Sequence, residues 1–148
     1  MSRLENPAGS GYAPGYDIGA WKAGRDGEEN VAALLNGTLE VKADLRARDR
    51  IFVEYACDWE DGNGWRPSGI AISNADAWVI MLPGSYLVVQ TERLKRLCRG
   101  IKATGQRARA DPPDDWGLVE KPRTGPDEPP TRGVVIPFRH VLGLLASV

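Results

Sequence analysis

The chain has 148 residues, a formal net charge of −1 and hydrophobic residues at 42% of its positions. This length suits one domain with a substantial core. The near-neutral charge excludes a strong field over the whole molecule, so any nucleic-acid binding would depend on local basic clusters. No apolar run reaches the roughly 20 residues that span a bilayer, and the N-terminus lacks the apolar segment of a signal peptide. We therefore expect a cytoplasmic protein without a membrane partner.

Residues 1–20 are rich in glycine, proline and tyrosine without a repeating period, which predicts an N-terminal arm. Residues 24–27, Gly-Arg-Asp-Gly, predict a turn with Asp26 as the N-cap of a short amphipathic helix. The Asn-Gly pair at 36–37 predicts where this helix ends. Glu28 lies at the edge of the apolar stripe, and we expect that side of the helix to pack toward a sheet. The apolar stripe consists of Val31, Ala32, Leu34 and Leu35.

Two segments with strand character follow, at 38–44 and 50–57, and a charged connection joins them. The connection and the start of the second segment carry Arg46, Arg48 and Arg50. Arginines in such a position can contact the phosphates of a nucleic acid without reading its sequence.

Charged side chains are concentrated on these two segments. Glu40, Lys42 and Asp44 alternate along the first segment, so they should project from one face of a sheet. If the two strands are adjacent and antiparallel, Glu54 of the second strand reaches the same face. Three carboxylates and one ammonium on one face cost stability unless something compensates for them. A divalent cation would provide that compensation.

The next part of the chain predicts a β-hairpin over residues 78–90, because two apolar runs flank a Pro-Gly-Ser turn. A single helical turn is predicted just before it, over residues 75–77, with Ser73 or Asn74 as its cap. After the hairpin, Thr91 predicts the N-cap of a helix over residues 92–99, which Gly100 would end.

Residues 103–132 contain six prolines and many charges, which predicts a long surface loop or a partly disordered insert. The chain re-enters the fold at residues 134–137 and ends in an amphipathic helix over residues 138–146. Together these elements predict an α/β (α+β) fold with a central mixed β-sheet flanked by helices.

One stretch of the chain is strongly basic. Seven Lys and Arg and no Asp or Glu fall between Arg93 and Arg109. A charged helix face is commonly just solvated, but this one is also a candidate for contacts to DNA phosphates. Its candidate DNA-binding residues are Arg93, Lys95, Arg96, Arg99 and Lys102.

The residue inventory excludes several kinds of chemistry. His140 is the only histidine, which argues against a catalytic triad, a Cys-His pair and a zinc site. No phosphate-binding glycine loop is present. Cys57 and Cys98 lie far apart in apolar surroundings, so we predict reduced core residues. What remains is carboxylate chemistry with a hard cation such as Mg²⁺, for which Asp44 and Glu54 would supply oxygen ligands.

The order of the acidic motifs resembles the PD-(D/E)XK nuclease superfamily. Within it, the chain is similar to small phage and bacterial proteins that are often likened to Holliday junction resolvases. The similarity covers roughly residues 24–100. The motifs that carry it are Gly27-Glu28, Glu40-Val-Lys-Ala-Asp44, Phe52-Val-Glu-Tyr55, Pro67-Ser-Gly-Ile70 and Ala75-Asp-Ala-Trp78.

This resemblance implies a restriction-endonuclease-like core, Mg²⁺ or Mn²⁺ as the cofactor and DNA phosphodiesters as the substrate. It also implies that Asp44 and Glu54 are catalytic metal ligands and that Glu28 is the helix acid of the same site, with the neighbouring Glu29 as the alternative. Selectivity for branched DNA would need two active sites at a fixed separation, and hence a homodimer. The hairpin at 78–90 and the C-terminal helix are candidate interfaces.

The family's lysine should stand two residues after the glutamate, but Ala56 occupies that position. Lys42 precedes Asp44 by two residues on the same strand face, so we predict that it takes the missing lysine's catalytic role. A competing alignment takes Glu40-Val-Lys42 itself as the glutamate and lysine motif. It needs an aspartate on an earlier strand, and only a helix and a loop precede this segment.

Other interpretations remain beside a branched-DNA endonuclease. One is a linear-DNA or repair nuclease with the same chemistry, and another is a DNA-binding module that keeps the fold without cleavage. The charged strands could also be a surface hairpin in which Lys42 pairs with Glu54 or with Glu40. Apolar neighbours on both segments indicate a covered face and favour a functional site.

Overall fold

The computed structural model describes residues 18–43, 49–82, 84–108 and 116–148, with side chains described from Arg25 onward. The chain divides into two compact units, Met1–Ala33 and Leu34–Val148. The described part is mixed, with three helices and two sheets, and belongs to the α+β class. Residues 1–17 of the predicted arm lie outside the described residues.

The elements of the described chain follow one another in a simple order. The helices are α1 (Ile18–Asn36), α2 (Thr91–Thr104) and α3 (Phe138–Ala146), and a 3-10 turn covers Gly69–Ala71. The strands are β1 (Leu39–Ala43), β2 (Arg50–Asp58), β3 (Trp65–Pro67), β4 (Ala77–Leu82), β5 (Ser85–Gln90), β6 (Gly117–Lys121) and β7 (Thr131–Pro137).

Helix α1 is longer than the sequence predicts, and the turn predicted at residues 24–27 was wrong. The helix continues through both glycines of that segment, each of which costs a helix only about 1 kcal/mol relative to alanine. An ion pair one turn apart, between Arg25 and Glu29 at 3.6 Å, supports the helical conformation there. The predicted end at Asn36 is confirmed.

The strands form two sheets rather than one central mixed sheet. The first sheet is mixed, with the order β1-β4-β5, and the second is antiparallel, with the order β3-β2-β7-β6. The β4–β5 hairpin is confirmed. In the described residues β1 pairs in parallel with β4, whereas β2 pairs with β3 and β7, so β1 and β2 are not adjacent.

Two local features explain why β1 joins β4. At the start of β1, the Thr38 amide and hydroxyl donate hydrogen bonds of 2.7 and 2.8 Å to Asp76 Oδ2, just before β4. The apolar run of β2 meets an equally apolar partner in β7, where Ile51 pairs with Ile136 and Val53 with Val134. Apolar cross-strand pairs of this kind stabilise a sheet. Strand β2 therefore pairs with β7 rather than with β1, and β1 belongs to the other sheet.

One hydrophobic core lies within the Leu34–Val148 unit and draws on both sheets, α2 and α3. Trp78 is the largest fully buried side chain, and α2 contributes a buried stripe along one face. Burying each large apolar side chain stabilises the fold by about 1.5–3 kcal/mol. The core comprises Ile51, Val53, Ile70, Trp78, Ile80, Val89, Leu94, Leu97, Cys98, Ile101, Val134, Ile136 and Val141.

Two short-range predictions near the hairpin were wrong. No helical turn forms at residues 75–77, because Ala77 begins β4, and a 3-10 turn lies instead at Gly69–Ala71. Helix α2 does not end at Gly100. It continues to Thr104, and Gly105 ends it in the left-handed conformation.

Thr91 is not the N-cap of α2. Gln90 holds that position without a side-chain hydrogen bond, and the buried Thr91 hydroxyl has no hydrogen-bond partner among the described atoms.

The segment predicted as a long loop, residues 103–132, contains strand β6, which pairs antiparallel with β7. Residues 109–115 lie outside the described part of the chain. Helix α3 forms over the predicted residues. Both cysteines are free and buried, as predicted. No helix within the described residues is long and apolar enough to cross a membrane.

Candidate functional site

An open cleft of about 500 Å³ lies in the Leu34–Val148 unit, where residues of both sheets meet the segment around the 3-10 turn. Strand β1 supplies Glu40 and Lys42, and β2 supplies Glu54, although these strands belong to different sheets. The complete lining is Glu40, Lys42, Ala43, Phe52, Glu54, Gly69, Ile72, Ser73, Trp78 and Lys121.

Glu40 is held at both of its carboxylate oxygens. Lys42 Nζ lies 2.6 Å from Oε1, and the Ser73 hydroxyl donates a 2.5 Å hydrogen bond to Oε2. Partial burial alone would raise the pKa of the Glu40 carboxyl. The hydrogen bonds from Lys42 and Ser73 and the charge of Lys42 outweigh that effect, so the pKa lies below its ordinary value. Glu40 is therefore a stable anion at neutral pH.

Glu54 is held by Ser68, which lies just before the 3-10 turn. The buried Ser68 hydroxyl donates a 2.7 Å hydrogen bond to Glu54 Oε1, and the Ser68 amide donates to the Tyr55 carbonyl at 3.1 Å. The pairing of β2 with β7 shifts register between Glu54 and Ala56, which marks a β-bulge. Bulges often re-aim side chains beside functional sites. Ala56, the position of the missing lysine, does not line the cleft.

Gly69 is required where the segment passes β2. A Cβ atom at this position would lie 2.5 Å from the Glu54 carbonyl oxygen, and the φ of 50° is itself unfavourable for other residues. Ser68 and Ser73 flank this turn and hold one glutamate each. Residues 68–73 therefore fix both carboxylates of the cleft.

Ser73 and Trp78 connect the cleft to the core. The buried Trp78 indole N–H donates a 2.9 Å hydrogen bond to Ser73 Oγ, and Lys95 Nζ donates at 2.8 Å to the Ser73 carbonyl. Lys42 Nζ lies 5.1 Å from the centroid of the Trp78 ring, within the range of a cation–π contact.

The metal site predicted from the sequence is described only in part. Asp44 lies outside the described residues, and Glu28 is exposed on α1 in the Met1–Ala33 unit. Among the described residues, no three Asp, Glu, His or Cys side chains come together as a metal site. Among the side chains of the cleft, Glu54 has a carboxylate oxygen without a contact to Lys42 or Ser73, and carboxylate oxygens fit Mg²⁺ or Mn²⁺ in kind.

The predicted DNA-binding residues are in different situations. Arg46 and Arg48 lie outside the described residues, whereas Arg50 is half-buried at the start of β2. On α2, Arg96 and Arg99 are exposed. The other basic side chains of α2 have structural contacts: Arg93 Nε donates to the Leu145 carbonyl at 2.8 Å, Lys95 donates to Ser73, and Lys102 Nζ lies 4.3 Å from the Tyr55 ring centroid.

Sequence reasoning missed several residues that line the cleft or hold its side chains. Ser68 and Trp78 fall in motifs that carry the family resemblance, but nothing in the sequence assigned them a contact. Ser73 was a candidate only as a helix cap. Lys121 lies in the proline-rich segment that was predicted as a loop, and the apolar pair Leu118-Val119 was a weak signal for its strand. Its ammonium lies 3.7 Å from the Phe52 ring centroid, at the cleft.

A second hollow of about 620 Å³ shares Ala43, Phe52, Glu54 and Lys121 with the cleft. It leads away from Ser73 toward Trp59, whose side chain is 55% exposed. Because they share these residues, the two hollows are adjacent, and together they are called the groove below.

No protein-family model, no curated protein and no solved structure matches this chain.

Proposed function

We propose that the chain is a Mg²⁺- or Mn²⁺-dependent DNA endonuclease of the PD-(D/E)XK type, with a restriction-endonuclease-like core, and that its preferred substrate is branched DNA such as a Holliday junction. The observation that supports this proposal is the presence of Lys42 and Glu54 on one cleft. The two residues come from strands of different sheets, and both line this cleft.

Asp44 and Glu54 would hold the metal, and Glu28 is the third proposed acid. A bound Mg²⁺ would supply an acidified water and stabilise charge on the scissile phosphate. Ser68 keeps Glu54 in one orientation through its hydrogen bond. Lys42 takes the role of the lysine missing at Ala56 and places a positive charge beside the phosphate, where it counters the charge that develops during hydrolysis.

The groove and the basic residues would bind the DNA. Lys121 extends the positive charge of the cleft along the groove. Two exposed arginines of α2, Arg96 and Arg99, would contact phosphates outside it. A homodimer would bring two clefts to a branched substrate, and the exposed apolar side chains of Tyr86 on β5 and Leu142 on α3 are candidate contacts of its interface.

The proposal is tested by incubating the purified protein with a four-way junction, a flap and a linear duplex of the same sequence. Each reaction contains either Mg²⁺ or EDTA, and the products are separated on a denaturing gel. We expect Mg²⁺-dependent, symmetric nicks in the junction and little cutting of the duplex.

The other outcomes separate the remaining functions. Equal cleavage of the duplex would favour a linear-DNA or repair nuclease of the same chemistry. DNA binding that is unaffected by EDTA, without products from any substrate, would contradict both enzymes and favour a DNA-binding module.

A further inference from the structure

Four side chains of the cleft form a closed ring of polar contacts. The Trp78 indole N–H donates to Ser73 Oγ at 2.9 Å, Ser73 Oγ donates to Glu40 Oε2 at 2.5 Å, and Glu40 Oε1 lies 2.6 Å from Lys42 Nζ. The fourth contact joins the Lys42 ammonium to the Trp78 ring, whose centroid lies 5.1 Å away. Trp78 therefore contacts both Ser73 and Lys42, and it is 1% exposed and belongs to the core.

The Ser73 hydroxyl has its full set of hydrogen bonds, and this fixes their direction. A serine hydroxyl has one proton to donate and two lone pairs to accept with. The Trp78 indole occupies one lone pair, and the Ala75 amide approaches the other at 3.4 Å. The single proton is therefore committed to Glu40.

The backbone around Ser73 is held from the opposite side. Lys95 Nζ of α2 donates to the Ser73 carbonyl at 2.8 Å, and its side chain is only 19% exposed. Ser73 itself is 6% exposed. The hydroxyl that holds Glu40 is thus fixed by contacts from β4 and α2 before any ligand enters the cleft.

Lys42 needs such support. Its side chain is 45% exposed, and a lysine of that exposure samples many rotamers, so restricting it to one costs conformational entropy. The ion pair with Glu40 and the contact with the Trp78 ring limit the ammonium to one region of the cleft. Preorganised charges stabilise a developing charge better than mobile ones.

We propose that Ser73 is a positioning residue, whose hydroxyl orients Glu40 so that Glu40 holds the Lys42 ammonium at the cleft. This inference rests on the proposed function, because Lys42 acts on a phosphate only if the cleft cuts DNA. Glu40 is then a positioning residue as well, and neither Ser73 nor Glu40 touches the substrate.

The first test needs no activity. The Glu40 carboxyl is titrated by ¹³C NMR in the wild type, in Ser73→Ala and in Ser68→Ala, which removes the matching serine at the other end of the segment. Loss of the Ser73 hydrogen bond should raise the pKa of Glu40, whereas Ser68→Ala should leave it unchanged because Ser68 bonds to Glu54. An unchanged Glu40 titration in Ser73→Ala overturns the proposal.

The second test is a double-mutant cycle on cleavage. Ser73→Ala should lower kcat about tenfold, which corresponds to roughly 1.4 kcal/mol, and change KM for DNA less than twofold. In the Lys42→Ala background the same substitution should cause no further loss, since its effect passes through Lys42. An equal loss in both backgrounds would contradict the proposal. Ser73→Thr keeps the hydroxyl and should retain most of the activity.

A second variant covers the case in which Ser73→Ala does not fold because the buried Trp78 N–H loses its acceptor. Glu40→Gln keeps the size of the side chain and removes the ion pair with Lys42. It should lower kcat about tenfold and show no further loss with Lys42→Ala; a wild-type kcat overturns the proposal. If the wild type cuts no DNA but Ser73→Ala still raises the pKa of Glu40, the hydrogen-bond chain stands and the nuclease proposal fails.

Discussion

Lys42 Nζ lies 2.6 Å from Glu40 Oε1 on the cleft side of β1. A surface hairpin with paired charges would also contain this pair, and such exposed pairs contribute little to stability. The second oxygen of Glu40, however, bonds to the buried Ser73 hydroxyl, and Glu54 lines the same cleft. The pair is therefore part of a fixed polar site.

Replacing Lys42 tests the proposed substitute for the missing lysine. We expect Lys42→Ala to slow cleavage by about 100-fold or more, the range typical for losing one preorganised group that stabilises charge in the transition state. Affinity for DNA should change only a few-fold, as measured by fluorescence anisotropy in the presence of Ca²⁺. Lys42→Arg keeps the charge and should retain part of the rate. A wild-type rate for Lys42→Ala would remove Lys42 from the mechanism.

Gly69→Ala tests how tightly the 3-10 turn packs on β2. The new Cβ would meet the Glu54 carbonyl oxygen at 2.5 Å, so we expect the free energy of unfolding to fall by more than 1 kcal/mol, on the order of the cost of an incompatible Gly→Ala change. Urea denaturation measures this value.

Gly84→Ala is the matched control for Gly69→Ala. Gly84 also has a positive φ, of 73°, but a Cβ atom added there would have no other atom within 4 Å. Substituting Gly84 by alanine therefore introduces the backbone strain of a positive φ but no close contact of the new Cβ atom. Equal losses for the two variants would contradict a close packing between the turn and β2.

The stability of the protein should depend on Glu40 in acid. Because the pKa of Glu40 is lower in the folded state, its contribution is fully present above the unfolded-state pKa and is lost as the pH falls through the folded-state pKa. The stability difference between wild type and Glu40→Gln, from urea denaturation, should therefore shrink between neutral pH and about pH 3. A difference that stays constant over this range would refute the role of Glu40 as a stabilised anion.

The basic residues of α2 should fall into two groups. Arg96→Ala and Arg99→Ala should weaken DNA binding for all sequences alike and lower the slope of log K against log salt by about one each. Arg93→Ala should lower thermal stability more and DNA affinity less, because its Nε already bonds to the Leu145 carbonyl. Equal effects of all three on binding would contradict this division.

Periodicity in the sequence predicted the elements whose signals are local. The β4–β5 hairpin, the end of α1 and helix α3 appear where apolar spacing and turn residues predict them. The failures involve longer-range choices. The strand partners of β1 depend on the Thr38–Asp76 hydrogen bonds, and β6 forms only because β7 is beside it. Neither cause is visible in a window of a few residues.

The candidate site was predicted to a similar extent. The alternation of Glu40 and Lys42 and the motif position of Glu54 identified three residues that share the cleft. Ser68 and Ser73 could not be recognised, since their roles arise from contacts across 14 and 33 residues of sequence. Asp44, the other predicted metal ligand, lies outside the described residues.

The most direct test is the Mg²⁺ dependence of junction cleavage by the wild type beside Asp44→Asn and Glu54→Gln. We predict cleavage by the wild type that EDTA abolishes, and at least a 100-fold loss in each variant, on the order expected when a group that stabilises the transition state is removed, with junction binding retained. Cleavage by either variant at the wild-type rate, or a wild type that cuts equally well in EDTA, would contradict a metal-dependent nuclease site in this cleft.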